Sequence, residues 1–192
     1  LPAVWLMIAV VLGVMLLLHP DEVGRMRGAV VASLGYVTNW YFVVTDVPYF
    51  EQFGRPPVFL HLWSLAVEEQ FYLVWPVVLA AGMLVAGRRL VLALAVAGMV
   101  GSAALAWWMF DPFTATDRLY YGTDTRAVGL LAGVVLAFLV PATRDTGSRR
   151  TAWRWDALGA VGLLGLVAAF AWLDEGRPFL YRGGFAAVGL AS

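Results

Sequence analysis

Five side chains with polar or aromatic character recur at helical spacing in the segment between residues 61 and 76. At about 100° per residue they fall within a stripe roughly 80° wide on one face of a helix. They are His61, Ser64, Glu68, Tyr72 and Trp75. Gln70 points the opposite way. A carboxylate and an imidazole held on one face away from bulk water can exchange protons near neutral pH, which is what activation of a hydroxyl group requires.

Glu68 and its neighbour Glu69, at the margin of the stripe, lie within a long apolar run. Insertion of an ionisable side chain at the centre of a membrane helix costs about 2.5 to 3.5 kcal/mol, so both carboxylates need compensation. A polar cavity used for catalysis or transport would supply it, and so would a hydrogen-bonded seam between helices. We favour the cavity. Ser64 lacks the strand-turn-helix elbow that presents a nucleophilic serine, so we expect it to support Glu68.

The composition indicates that membrane helices position this stripe. Hydrophobic residues make up 61% of the 192-residue chain and charged residues only 14%, against about 45–50% and 25% in soluble domains. The 13 basic residues are all Arg and balance 13 acidic ones, so the chain has no net positive charge that would favour binding to nucleic acid. The absence of Cys excludes disulfides and thiol catalysis.

Six apolar stretches approach the roughly 20 residues that a membrane helix needs, and a seventh possible stretch begins near Tyr181. The six are Leu1 to Leu18, Gly28 to Val44, Leu60 to Ala86, Leu90 to Phe110, Thr125 to Val140 and Trp155 to Leu173. Charges and prolines separate them, and they lack the alternation of barrel strands. The sequence therefore predicts an all-α, polytopic transmembrane helix bundle.

The Arg distribution predicts orientation, because basic residues near helix ends are retained in the cytoplasm. Arg88 and Arg89 mark one cytoplasmic turn, and Arg144 with its neighbouring arginines marks another two crossings later. The stretch from Gly28 to Val44 is short and contains Ser, Thr and Asn, so it either spans the membrane or is re-entrant. His19, next to Pro20, is expected to be a solvated cap.

The run HLWSLAVEEQFYLVWP, residues 61–76, resembles the hallmark of the acyltransferase 3 family of integral membrane proteins. Two flanking runs are similar to the family as well, YVTNWYF at 36–42 and RLYYGTDTRAVGLLAG at 118–133. The resemblance implies that residues 1–192 are an internal part of one transmembrane acyltransferase domain. The upstream helices, one of which carries the family's favoured catalytic base, and the C-terminal remainder would then be missing.

The resemblance further implies transfer of an acyl group, most often acetyl, from acyl-CoA to a hydroxyl of an extracytoplasmic carbohydrate or lipid. It implies a multi-pass protein of a bacterial plasma membrane, with acyl-CoA as donor substrate and no bound cofactor or metal. Glu68, His61 and Ser64 are the expected catalytic residues. The residues expected at the donor or substrate cavity are Arg126, Asp124, Tyr72, Trp63, Glu69 and Asn39.

Several alternatives stay open. Asp124 and Arg126 also fit an ordinary interfacial pair at a helix start, with Arg126 snorkelling outward. Tyr120 and Tyr121 are typical of an interfacial aromatic belt. A secondary transporter would also place carboxylates at a cavity, although we find no internal symmetry of the kind such proteins show. A purely structural membrane subunit would tolerate neutral replacement of Glu68.

Overall fold

The structure is a computed structural model, and it describes residues 2–49, 56–111, 116–139 and 149–172. All regular secondary structure within these ranges is helical, which confirms the predicted fold class at that level. The helices are α1 Pro2–Leu18, α2 Pro20–Leu34, α3 Thr38–Val44, α4 Leu62–Met109, α5 Asp117–Tyr121, α6 Thr123–Leu139 and α7 Arg149–Trp172. The chain divides into two compact units, Leu1–Gln70 and Phe71–Ser192, and each is described by itself.

In the first unit, α2 begins directly after His19, whose backbone departs from helical geometry. Pro20 occupies the first turn, where its missing N–H costs nothing, and Asp21 and Glu22 favour the positive end of the helix dipole. Residues 20–27, which lie between the first two predicted apolar stretches, are therefore helical. α2 packs against both α1 and α3.

The predicted segment Gly28 to Val44 is not one helix. α2 ends at Leu34, and the chain turns through Tyr36, which has a positive φ of 54°. The amide of Val37 donates to the carbonyl of Ala32 at 2.8 Å, as in a Schellman motif. A non-glycine residue in this left-handed region costs on the order of 1 to 3 kcal/mol, so other contacts have to stabilise the turn.

α4 contains one break, at Gly87, where φ is 69° and ψ is −161°. Residues nine apart in a straight helix are separated by about 13.5 Å. The Cα of Val91, however, lies 3.9 Å from where a Cβ on Gly82 would stand, so the chain reverses direction at the break. Because a side chain at this φ would be strained, glycine suits the position. The predicted segments 60–86 and 90–110 are thus separate helices that meet beside Arg88.

The second half of α4 and α6 run antiparallel in the second unit. Arg88 donates to the carbonyl of Phe138 and lies over its ring, with 5.6 Å from the guanidinium carbon to the ring centroid. Further along, the amide of Val128 donates to Ser102 Oγ at 3.1 Å. The C-terminal end of α6 therefore lies beside the turn at Gly87, and the cytoplasmic location expected from the Arg distribution stays a prediction.

The remaining boundaries differ modestly from the predicted ones. The short helix α5 lies between the predicted stretches that end at Phe110 and begin at Thr125, and α7 begins at Arg149, before the predicted Trp155. The predicted loop arginine Arg144 and the possible seventh segment near Tyr181 lie outside the described residues.

Two stretches among the described residues are long and apolar enough to cross a membrane, namely Leu62–Met109 and Asp117–Leu139. A straight helix of 48 residues, the length of α4, would be about 72 Å long, which is more than twice the hydrocarbon thickness of about 30 Å. The reversal at Gly87 gives two helices of membrane length instead. α1 is apolar but shorter.

Candidate active site

The first two turns of α4 have one buried face and one exposed face. Leu62, Trp63, Ala66 and Val67 are buried, whereas His61, Ser64 and Glu68 are exposed. The exposed residues follow a spacing of three and four, so they share one side of the helix. The structure therefore brings together the three residues that the sequence predicts to be catalytic, and their chemical roles stay predictions.

Within the described part of the chain, neither Glu68 nor the imidazole of His61 has a hydrogen bond or an ion pair. Ser64 Oγ donates to the carbonyl of His61 at 3.3 Å, a local bond within the first turn. A carboxylate in a segment of membrane length is costly without a partner. Glu68 is thus a group for which a substrate, a solvated chamber or another protein segment has to provide compensation.

Gln70, on the opposite side of α4, carries the polar contacts that fix this helix. Its side-chain amide donates to the carbonyl of Tyr36 at 2.8 Å and to Asn39 Oδ1 at 2.9 Å. Its oxygen accepts from Trp40 Nε1 at 3.4 Å. Gln70 therefore joins α4 to the turn between α2 and α3, and it satisfies a carbonyl that the left-handed residue Tyr36 exposes.

Three buried polar side chains continue this network into the break between α2 and α3. Thr38 Oγ1 donates to Ser33 Oγ at 3.0 Å, and Ser33 Oγ donates to the carbonyl of Ala29 at 2.6 Å. Thr38 and Asn39 are both 0% exposed. Buried polar groups are costly unless they are hydrogen-bonded, so the network specifies one conformation of the break.

The other predicted cavity residues of the first unit lie beside this network. Asn39 is fully buried, and its side-chain oxygen accepts the hydrogen bond from the Gln70 amide. Trp63 is buried and packs edge-on against Tyr49, with ring centroids 5.9 Å apart. Glu69 is half-buried. These contacts do not test whether Asn39, Trp63 and Glu69 line a cavity, so that role stays a prediction for each of them.

In the second unit, Asp124 forms a two-point ion pair with Arg118. The two oxygens of Asp124 lie 3.0 and 2.7 Å from the terminal nitrogens of Arg118. Asp124 Oδ1 also accepts from the amide of Thr125 at 3.0 Å. Gly122 lies against this pair, and a Cβ there would overlap the Arg118 guanidinium. The structure therefore pairs Asp124 with a residue of α5, six positions upstream.

Arg126 lies against Tyr120. Its Nε donates to the carbonyl of Tyr120 at 3.1 Å, and its guanidinium carbon lies 4.3 Å from the centroid of the Tyr120 ring. This arrangement is a cation–π contact as well as a hydrogen bond. Tyr72 is exposed and packs its ring against the edge of Phe71. Roles for Arg126 and Tyr72 in a cavity stay predictions.

Two residues that make the side-chain contacts described above, Gln70 and Arg118, were not among the predicted site residues. Gln70 was set aside because it faces away from the polar stripe. The sequence did contain a sign of its role. Gln70 is a polar side chain on the otherwise apolar side of a helix of membrane length, and such a side chain needs a hydrogen-bond partner. Arg118 lies six residues from Asp124, a spacing that does not put two side chains on the same side of a helix, so the sequence did not suggest the pair. Among the described residues, no group of three His, Cys, Asp or Glu side chains could hold a metal ion.

The described residues form helices, two of which are long and apolar enough to cross a membrane, and one of these carries a polar face. The chain is 39% identical over 99% of its length to "Peptidoglycan O-acetyltransferase OatA" of Listeria monocytogenes. It is 38% identical over 96% of its length to "Putative peptidoglycan O-acetyltransferase YrhL" of Bacillus subtilis. A Staphylococcus aureus protein named as a putative O-acetyltransferase is 36% identical over the same share.

The matched region is part of each relative. The chain spans 31% of the Listeria protein and 30% of the Bacillus protein. No family model matches the chain, and no solved structure matches it. The similarity to proteins named O-acetyltransferases therefore extends along nearly all of this chain and about a third of theirs.

Proposed function

We propose that the protein is a membrane-bound O-acetyltransferase of the acyltransferase 3 type that modifies a glycan of the cell envelope. Acetyl-CoA is the proposed donor, and a sugar hydroxyl outside the cytoplasm is the proposed acceptor. The chain contributes the part of the catalytic domain that carries Glu68. The proposed setting is a multi-pass bundle in a bacterial plasma membrane, with about six membrane segments in this chain.

One observation carries the proposal. Identity of 36–39% extends over at least 96% of the chain to proteins that are named O-acetyltransferases. The exposed row of His61, Ser64 and Glu68 supports it, because these side chains offer the proton-transfer groups that such a reaction needs. A transporter or a purely structural subunit has no comparable observation in its favour.

In the proposed reaction, a base removes the proton from the acceptor hydroxyl while its oxygen attacks the thioester carbonyl. The new C–O bond forms, the C–S bond breaks, and the coenzyme A thiolate leaves and takes up a proton. Glu68 orients the acceptor or relays its proton, with His61 and Ser64 beside it. Because donor and acceptor lie on opposite sides of the membrane, a polar path through the helices is required, and this face of α4 would line it.

The break between α2 and α3 fits a re-entrant segment in this proposal. Irregular backbone at membrane depth is tolerated only where protein buries it or a cavity adjoins it. The hydrogen bonds of Gln70 and Asn39 meet that condition by satisfying the polar groups of the turn.

The experiment places Glu68→Gln in the full-length protein and follows labelled acetyl from acetyl-CoA into cell-envelope glycan. We expect transfer to fall at least tenfold, because the amide cannot accept or relay a proton. Asp156→Asn, at an exposed carboxylate of α7, is the matched control and should retain normal transfer. Normal transfer by Glu68→Gln removes this residue from the mechanism. Absence of transfer in the unmutated protein removes the enzyme proposal.

A further inference from the structure

Gln70 occupies a position from which one side chain can fix the rotation of the start of α4. Its amide donates to the carbonyl of Tyr36 and to Asn39 Oδ1, and it accepts from Trp40 Nε1. All three partners lie within residues 36–40, the turn after α2 and the first turn of α3. Hydrogen bonds are directional, so a helix held by several of them at one point cannot turn about its axis without breaking them.

The chemistry of the partners defines which end of the Gln70 amide faces which group. A backbone carbonyl can only accept a hydrogen bond, and an indole N–H can only donate one. The Gln70 nitrogen therefore faces Tyr36, and the Gln70 oxygen faces Trp40. The second hydrogen of the nitrogen is used by the oxygen of Asn39. A side chain of the same size with fewer donors cannot replace these bonds.

The group against which Gln70 is held is fully buried. Asn39 and its neighbour Thr38 are 0% exposed, and Thr38 Oγ1 donates onward to Ser33 of α2 at 3.0 Å. A broken bond at this point would leave a buried polar group unsatisfied, which is costly. Gln70 is therefore held by a rigid part of the first unit.

Gln70 and Glu68 lie on opposite sides of α4, because residues two apart are separated by about 200° around a helix. Contact of Gln70 with residues 36–40 therefore directs Glu68 away from them, and Glu68 is exposed. Ala66 and Val67 also pack on the buried side, but apolar burial is non-directional and tolerates small rotations. A side-chain tip lies about 5 to 6 Å from the helix axis, so a rotation of about 20° moves it by about 2 Å.

A displacement of this size is large on the scale of a chemical step, since misplacement by about 1 Å can cost about a hundredfold in rate. We propose that Gln70, with Asn39 as its buried anchor, is a positioning residue that acts on acetyl transfer through Glu68. The effect on acetyl transfer rests on the proposed function, whereas the control of helix rotation does not. The stretches 36–42 and 61–76 thereby act together on one side chain.

The first experiment measures kcat and the KM for acetyl-CoA in the full-length protein carrying Gln70→Glu. This variant preserves the size of the side chain and the oxygen that faces Trp40, but it lacks the nitrogen that donates to Tyr36 and Asn39. We expect kcat per folded protein to fall at least tenfold at neutral pH and KM to change less than twofold. Relative to the unmutated protein, kcat should recover as the pH is lowered, because a protonated carboxyl group regains one donor.

The matched control for this experiment is Thr45→Val. It removes a side-chain hydrogen bond at the end of α3 that is local, from Thr45 Oγ1 to the carbonyl of Tyr41, and does not reach α4. We expect this variant to have normal kcat and normal KM. Equal losses of kcat in both variants would reject a special role of Gln70.

The second experiment follows helix rotation without any acetyl transfer. Ser64→Cys and Val67→Cys place a thiol on the exposed and on the buried side of α4, and this chain has no cysteine of its own. In a cysteine-free form of the full-length protein in micelles, a water-soluble maleimide should label position 64 at least tenfold faster than position 67. Addition of Gln70→Glu should reduce this ratio at least threefold.

An unchanged labelling ratio in Gln70→Glu overturns the proposal. A raised KM with normal kcat overturns it as well, since Gln70 would then act on donor binding. A reduced ratio in a protein that transfers no acetyl group rejects the enzyme function and retains the role of Gln70 in orienting α4. Acetyl transfer by the unmutated protein, with normal kcat in Gln70→Glu, does the reverse.

Discussion

The side-chain amide of Gln70 lies 2.9 Å from Oδ1 of the fully buried Asn39, and this contact joins the start of α4 to the break between α2 and α3. The same amide reaches the carbonyl of Tyr36. A single side chain thereby holds together two stretches that the sequence singled out separately, residues 36–42 and 61–76. The polar face that carries Glu68 is oriented by the residue on the other side of its helix.

Replacing Gln70 by Leu should lower the free energy of unfolding by roughly 2 to 3 kcal/mol. The substitution removes donors from a buried amide oxygen and from the carbonyl of a strained turn, and unsatisfied buried groups cost about 1 to 3 kcal/mol each. The measurement is reversible unfolding of the full-length protein in mixed detergent micelles. Ser64→Ala, on the exposed side of the same helix, should change stability by less than about 0.5 kcal/mol. Comparable losses for both substitutions would show that Gln70 is not an anchor.

Arg118 and Asp124 should be energetically coupled. The two-point geometry favours coupling, and the partial exposure of both side chains limits it, so we expect about 1 kcal/mol in a double-mutant cycle. The cycle uses Arg118→Gln and Asp124→Asn, singly and together, with unfolding in micelles as the readout. The matched cycle pairs Asp124→Asn with Arg126→Gln and should give less than about 0.3 kcal/mol. Stronger coupling to Arg126 would contradict the pairing in the structure.

Gly122→Ala should destabilise the protein by about 1 to 3 kcal/mol, because the new methyl group would displace the Arg118 guanidinium from Asp124. Gly133→Ala is the control, because Gly133 lies within α6 and has open space where the new methyl group would stand. There the change should be neutral or stabilising by up to about 1 kcal/mol, since alanine is the better helix former. Thermal unfolding of both variants provides the comparison, and equal behaviour would argue against close packing at Gly122.

Local patterns predicted much of the fold. Apolar runs separated by charges predicted helices, and the described residues are helical wherever they are regular. The pair Arg88-Arg89 marked a turn, and the break lies next to it at Gly87. The helical period placed His61, Ser64 and Glu68 on one side of α4. The segment from Gly28 to Val44 was harder, since propensity alone did not reveal that Tyr36 adopts a left-handed conformation.

What the sequence determined by itself is that the chain is helical and on which side of a helix a residue lies, because both depend on a period that repeats within a few residues. The tertiary structure alone decided the partners. It paired Asp124 with Arg118, placed Arg126 against Tyr120 and made Gln70 the link to Asn39. Partner choice depends on which distant segments pack together, and no local period encodes that.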